Sequence, residues 1–303
     1  MKNIYVLGSI NMDMVISTPY MPKNGETLTG SNFFLNGGGK GANQAVAASK
    51  QGANVKLIAS VGADVFGSDL INKLNEYGVD TEYVNSLSGV NTGVAMIIIE
   101  DGDNRIILDS GSNGKITKEQ IDTALLNAEK DDIFITQLEN NFDAVLYGLK
   151  TAKEKGMITI FNPAPAKVLD NEFFTYVDYL VINETECEIF TGILPIDDDT
   201  KDLAYKKLQE MGVGNLIITL GSKGSVCFSG SQKLVIKAHK VDAVDTTAAG
   251  DTYVGSFASQ LALGHSALDS LTYASLCSAL TCLKKGAQQS IPYKEEVEAF
   301  KNR

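Results

Sequence analysis

The sequence predicts an α/β fold: a doubly wound, mostly parallel central sheet flanked by helices, with a small antiparallel β lid. Three observations lead there. Short runs rich in β-branched residues recur along the chain, stretches of helical periodicity separate them, and glycines stand just beyond several of those stretches. Such alternation builds parallel sheets, and a glycine after a helical pattern is a C-terminal cap.

The expected strands cover residues 4–7, 55–61, 132–136, 157–161, 179–182 and 216–220, each short, apolar and followed by a helical pattern. Helices are expected at 42–51, 68–77, 118–128, 143–155, 201–211, 250–263, 267–283 and 294–301, with Gly52, Gly78, Gly156, Gly212 and Gly264 closing five of them. Residues 12–35 and 92–109 break the cadence. The second stretch alternates through Gly93-Val94-Ala95-Met96-Ile97-Ile98-Ile99-Glu100, turns at Asp101-Gly102-Asp103-Asn104 and returns through Arg105 to Asp109, the pattern of a hairpin. No helical pattern is available to cover either piece. They are expected to form a lid subdomain on a single domain spanning 1–303, closing over a site or meeting another subunit.

A chain of 303 residues, 44% hydrophobic and 21% charged, is long enough to bury a full core. Its 26 Lys and Arg against 37 Asp and Glu give a net charge of −11 with no basic block, which argues against nucleic acid or an anionic membrane as partner. Cys187, Cys227, Cys277 and Cys282 show no C-x-x-C spacing, and with only His239 and His265 beside them no zinc set is expected. The N-terminus enters a strand directly and no apolar run reaches 18 residues, so a cytoplasmic, reduced protein is expected.

Four constellations carry chemistry. In the first, Val241 to Thr252 runs through small residues into Asp251 and a helix. Asp251 there is either a first-turn helix acid or a carboxylate base beside an anion site made of backbone N–H groups and the helix dipole. Asp245, Thr246 and Thr247 add more polar groups than a cap requires. Second, Asn36-Gly37-Gly38-Gly39-Lys40-Gly41-Ala42-Asn43-Gln44 opens a helix. It is not a Walker A loop, because Gly41 follows Lys40. It matches the dinucleotide pattern across Gly37, Gly39 and Ala42, and equally suits a close-approach floor for a polyhydroxyl ligand with Lys40 and Asn43 as donors.

Third, Asn11 and Asp13 lie just past the first strand, where open α/β sheets bind ligands. They are either turn formers or an amide and carboxylate gripping vicinal hydroxyls. Last, Asn183-Glu184-Thr185-Glu186 follows another strand and reads as an N-cap or as a group organising hydrated Mg²⁺ beside phosphates, while Thr219-Leu220-Gly221-Ser222-Lys223-Gly224 offers hydroxyls, N–H groups and a Lys to a nucleotide.

These segments, with Thr92-Gly93-Val94-Ala95, Asn162-Pro163-Ala164-Pro165-Ala166 and Lys285-Gly286-Ala287-Gln288-Gln289-Ser290, resemble in order and over nearly the full chain the ribokinase, or phosphofructokinase-B, family of sugar kinases. The resemblance implies ATP-dependent phosphorylation of D-ribose at its 5-hydroxyl, giving D-ribose 5-phosphate. It implies Asp251 as general base and the N–H groups of Ala248, Ala249 and Gly250 as anion hole. Asn11, Asp13, Gly39, Lys40, Asn43, Glu139 and Asp251 would hold ribose. Asn183, Glu186, the segment Thr219, Leu220, Gly221, Ser222, Lys223 and Gly224, with Gly250 and Ser275, would face the nucleotide. Mg²⁺ would accompany ATP within reach of Glu186. A monovalent cation, K⁺, would lie among Asp245, Thr247, Thr281, Lys284, Gly286 and Ser290, partly on backbone carbonyls. A homodimer through the lid is also implied.

Ser275 stands where relatives commonly carry a larger polar residue, and Ala249 where many carry glycine; neither departure removes the chemistry. The rivals are a kinase for 2-deoxyribose or another small sugar, a nicotinamide oxidoreductase using Gly37 to Ala42, and a sugar-binding regulator without turnover.

Overall fold

The computed structural model describes residues 1–101 and 103–301; Gly102 of the expected lid turn, with Asn302 and Arg303, lies outside the described residues. β1 (Asn3–Leu7) is not followed at once by a helix, as the simple cadence anticipates. The chain first makes β2 (Asn11–Ser17) and β3 (Ser31–Gly38), then returns through α1 (Lys40–Lys50) to β4 (Asn54–Gly62). After α2 (Val65–Glu76) and β5 (Val84–Leu87) it leaves the layer again as β6 (Gly93–Glu100) and β7 (Asp103–Asp109). Strand and helix then alternate through α3 (Lys118–Leu125), β8 (Ile133–Thr136), α4 (Phe142–Glu154), β9 (Ile158–Phe161), the single turn α5 (Glu172–Thr175), β10 (Tyr179–Asn183), α6 (Glu184–Thr191), α7 (Asp198–Glu210) and β11 (Asn215–Thr219). β12 (Ser225–Ser229), β13 (Gln232–Ile236), α8 (Ala249–Ala262), α9 (Ala267–Thr281) and α10 (Lys294–Lys301) complete it.

The main sheet has nine strands in the order β13-β12-β11-β10-β9-β8-β1-β4-β5, parallel from β5 to β11 and antiparallel at the β11-β12-β13 edge. Helices cover both faces, so successive residues of one strand enter different cores. Ile4 and Val6 pack with Val46 and Phe257 of α1 and α8, whereas Tyr5 and Leu7 pack with Ile121 and Val145 of α3 and α4. From β1 the chain winds outward to β4 and β5, then resumes on the other side at β8. The strand order therefore reverses beside β1, the position at which open α/β sheets bind ligands.

β5, β12 and β13 were not expected from sequence. They are edge or near-edge strands of four or five residues, and β5 and β13 carry polar, partly exposed positions that dilute the apolar signal. α6 was legible only as a possible cap at Asn183. The lid is a four-stranded sheet in the order β3-β2-β6-β7. Its outer pairs are antiparallel, and they join through a parallel β2–β6 pair in which Asn11 stands beside Gly93 and Asp13 beside Ala95.

Candidate active site

The C-terminal ends of β1 and β8, the root of the lid and the first turns of α1 and α8 meet at one place. Gly39, at φ 89°, caps α1, and a Cβ there would stand 2.7 Å from the Ser9 carbonyl oxygen, so the glycine lets the lid strand turn tightly into the helix. The first N–H of that helix, from Lys40, donates to Glu139 Oε2 at 3.0 Å, and Ser9 Oγ donates to the same oxygen at 2.5 Å. Three carboxyl groups converge here. Asp13 is buried, and burial, reinforced by the negative charges of Glu139 and Asp251, pushes its carboxyl up to about 7. Asp251, Glu139 and Glu186 in turn raise the Lys40 ammonium against the opposing effect of its burial.

Asp251 is itself buried in the first turn of α8 and gripped from α1. Asn43 Nδ2 donates to its Oδ2 at 2.9 Å and Gln44 Nε2 to its Oδ1 at 3.0 Å. Asn43 Oδ1 is buried with no partner, an acceptor left for a ligand hydroxyl. Asn11 Oδ1 accepts from Asn113 Nδ2 at 2.7 Å, which leaves the Asn11 NH₂ group as a donor. Gly38 faces the Asp13 carboxylate so closely that a Cβ would collide with it. A cavity of about 350 Å³, lined by Asn11, Asn113, Glu139, Asn140 and the lid residues Leu108 and Asp109, adjoins this cluster. Asn11, Asp13, Gly39, Lys40, Asn43, Glu139 and Asp251 thus form one cluster, of which Asn11 and Glu139 line the cavity.

α8 begins at Ala248, whose φ of 61° is left-handed; the other non-glycine residues with positive φ are Asn or Asp, which tolerate it. An alanine held so costs on the order of 1 kcal/mol, and strain of this kind gathers at functional sites. The Ala249 N–H is directed to the Thr246 carbonyl at 3.2 Å. Gly250 is exposed, and a Cβ there would meet nothing within 4 Å, so open space lies over the helix start.

The residues expected to face a nucleotide begin at the ends of β10 and β11. Asn183 and Thr219 are register partners at the ends of β10 and β11. Asn183 and Glu186 form a reciprocal capping box, so the capping role is realised: Asn183 accepts from the Glu186 N–H and Glu186 Oε2 accepts from the Asn183 N–H. Burial raises the Glu186 carboxyl, while the Asn183 N–H and Lys40 oppose the rise. Leu220, Gly221, Ser222, Lys223 and Gly224 make a tight turn closed by the Leu220 N–H on the Gly224 carbonyl, and Lys223 reaches Glu184 at 3.3 Å. Ser275 of α9 donates to the Lys237 carbonyl at 3.3 Å, which puts it beside the segment leaving β13.

Asp245 ties two loops. Its carboxylate accepts from the Thr247 N–H and hydroxyl at 2.9 and 2.7 Å and from the Gly286 N–H at 2.9 Å. Burial raises this carboxyl, but those donors outweigh it and hold Asp245 below the usual carboxylate range. Thr281 meets Thr252 of α8 at 3.0 Å, and the Lys284 N–H returns to the Thr281 carbonyl. The Lys284 ammonium turns away to Glu296, and Ser290 bonds the Ala287 carbonyl within its own loop. Asp245 is thus a fixed anionic carboxylate between two loops, while the Lys284 and Ser290 side chains are directed elsewhere.

Ser9, Gln44, Asn113, Gln137 and Asn162 escaped the sequence reading as site residues, although Gln44 and Asn162 sit inside recognised motifs. Only a spatial signal brings them out: Ser9, Gln44 and Asn113 hydrogen-bond to expected site residues, and Gln137 and Asn162 to Gln44.

The sequence profile of the pfkB family carbohydrate kinases matches residues 1–294. The chain is 38% identical to a ribokinase of Haemophilus influenzae, covering 99% of this chain and 98% of that one. It is 36% identical to a deoxyribokinase of Salmonella typhi, covering 98% of each. Among solved structures, an Arabidopsis thaliana ribokinase complexed with ribose and ATP superposes with a TM-score of 0.92 at 29% identity, over 98% of each chain. The chain belongs to the pfkB family of carbohydrate kinases.

Proposed function

We propose that this pfkB-family kinase transfers the γ-phosphoryl group of ATP to the 5-hydroxyl of D-ribose, with Asp251 as general base. The observation that carries the reading is the pairing of Asp251 with the strained start of α8: a carboxylate fixed by two amides lies in the first turn, beside the backbone N–H groups of a helix N-terminus.

Asn11, Asp13, Asn43 and Glu139 hold the sugar hydroxyls and Asp251 receives the proton of the attacking hydroxyl, while the Ala248 to Gly250 backbone faces the transferring group. General-base action contributes about 10²–10⁴-fold, so positioning and charge stabilisation supply the rest. Lys40, kept protonated by the carboxylates around it, offsets phosphate charge in an acidic protein. Glu186, whose capping bond uses one oxygen, would keep the other for the hydrated Mg²⁺ of ATP, which would supply neutralisation of phosphate charge. K⁺, held by Asp245, Thr247 and the loop carbonyls of Thr281, Lys284, Gly286 and Ser290, would steady the α8 start electrostatically.

The lid's free end carries apolar residues in adjacent rows, Leu35-Met14-Met96-Ile107 and Phe34-Val15-Ile97-Ile106, which alternate between its faces. One face closes on the sugar and excludes water; the other pairs with a second copy, giving a homodimer.

Asn11 favours ribose over 2-deoxyribose. With Asn113 on its oxygen, it presents NH₂ to a 2-hydroxyl, and a sugar lacking that group strands the donor. The Salmonella deoxyribokinase keeps the second reading alive. A coupled kinase assay over a sugar panel, with K⁺ or Na⁺ present, tests the proposal: kcat/KM for ribose should exceed that for 2-deoxyribose at least tenfold and rise with K⁺. Equal values for the two sugars overturn the ribose assignment.

A further inference from the structure

We infer that Gln44, locked by Gln137, is a positioning residue that aims the Asp251 carboxylate; the inference rests on Asp251 being the base. Gln44 is fully buried, and its amide is committed in every direction. Nε2 donates to Asp251 Oδ1 at 3.0 Å and to Asn162 Oδ1 at 3.1 Å, while Oε1 accepts from Gln137 Nε2 at 2.7 Å. Turned over, the amide would set oxygen against two acceptors and nitrogen against a donor, so Gln137 and Asn162 together permit one orientation. Asn162 is anchored in turn by donating to the Val181 carbonyl at 2.9 Å. The relay therefore runs from the ends of β8 and β9, and from β10, into α1 and out to the carboxylate on α8. The reference frame of the base is the parallel sheet, not the lid.

A carboxylate needs this because its terminal torsion is soft. Asn43 restrains Oδ2 alone, and a single donor leaves a pivot; Gln44 on the other oxygen removes it. Each oxygen keeps further lone-pair capacity for a hydroxyl. Gly255 supports the arrangement from α8, since a Cβ there would collide with the Gln44 carbonyl and push the two helices apart. A base oxygen must come within about 2.6–3.2 Å of the hydroxyl oxygen whose proton it takes, and a misplacement of about 1 Å costs about 10²-fold.

Gln44→Met keeps the side-chain length and removes both donors. The expected result is a fall in kcat with ribose of about 10- to 100-fold, while the ribose dissociation constant measured by calorimetry stays within about threefold. Gln137→Met should lower kcat about 3- to 10-fold, and the double variant should match Gln44→Met alone, because Gln137 acts through Gln44. A folded Gln44→Met enzyme with wild-type kcat overturns the inference, as does loss of ribose affinity in step with kcat. If Gln44→Met does not fold, Gln137→Met decides: lowered kcat at unchanged affinity supports the inference, and unchanged kcat sinks it. Asp251→Asn, assayed alongside, separates the two levels: turnover surviving in that variant removes the base itself, whereas its loss with an unaffected Gln44→Met removes only the relay.

Discussion

The nine-stranded and four-stranded sheets are built from similar rows of branched and aromatic residues, yet they meet water differently. Ile4, Leu57 and Ile217 of the first have no exposure, whereas Phe33, Ile106 and Ile107 of the second expose 59, 55 and 67%. Helices on both faces account for the first pattern, and among the described residues no helix covers the second at these positions. Placement of chemistry follows the same division. Asp251, proposed as the base, its two amide donors and the loops that fix the Asp245 carboxylate stand on the covered layer. The lid contributes Asn11 and Asp13 only at its root, where β2 leaves β1, and its free end is left adaptable.

Stability should divide along that line. Phe257 is fully buried and packs edge-on to Tyr179 with ring centroids 5.2 Å apart. Phe257→Ala is expected to cost about 3–5 kcal/mol in urea unfolding. Ile107→Ala should stay within about 0.5 kcal/mol. Comparable costs would erase the contrast between the sheets.

Asp13, at the boundary between them, should titrate visibly. Its folded carboxyl sits at about 7, above the unfolded value near 3.8, so the folded state holds more protons between those two pH values and stability declines as pH rises across that window. Asp13→Asn should flatten the decline and raise stability at pH 8 by on the order of 2 kcal/mol. Ribose affinity should fall in the variant at pH 8, as it falls in the wild type on acidification through pH 7, because a protonated Asp13 accepts less well. Unfolding curves and ribose titrations at pH 5 and 8 check both; an unchanged pH slope in the variant would remove Asp13 as the cause.

The smallest energetic effect belongs to the lid's free end. Ile107→Asp should shift the protein from dimer to monomer in analytical ultracentrifugation and lower the unfolding midpoint only by the dimer's mass-action contribution, so that the wild-type midpoint rises with protein concentration and the variant's does not. A wild-type monomer would assign that surface solely to closure over the sugar.

Most of the layered fold was legible because strands buried on both faces read as short continuous apolar runs, whereas their helices carry a 3.6-residue amphipathic pattern. β5, β12 and β13 were not, since edge strands mix polar residues into a short span. Asp251, Asn11, Asp13 and Lys40 were legible from their places at strand and helix ends. Asn183 and Glu186 were readable as cap or metal group, and the capping box realises the first without using every oxygen of Glu186. Gln44, Gln137, Asn113 and Asn162 lay beyond the sequence because their meaning is pairwise: Gln44 and Asp251 are 207 residues apart and meet only when α1 packs on α8.

The central claim, that the covered layer presents Asp251 as the base of a sugar kinase, is tested most directly by steady-state turnover of Asp251→Asn with ribose and ATP. The account predicts kcat reduced about 10²–10⁴-fold in a variant that unfolds with the wild-type midpoint and still binds ATP. Turnover within threefold of wild type would contradict it.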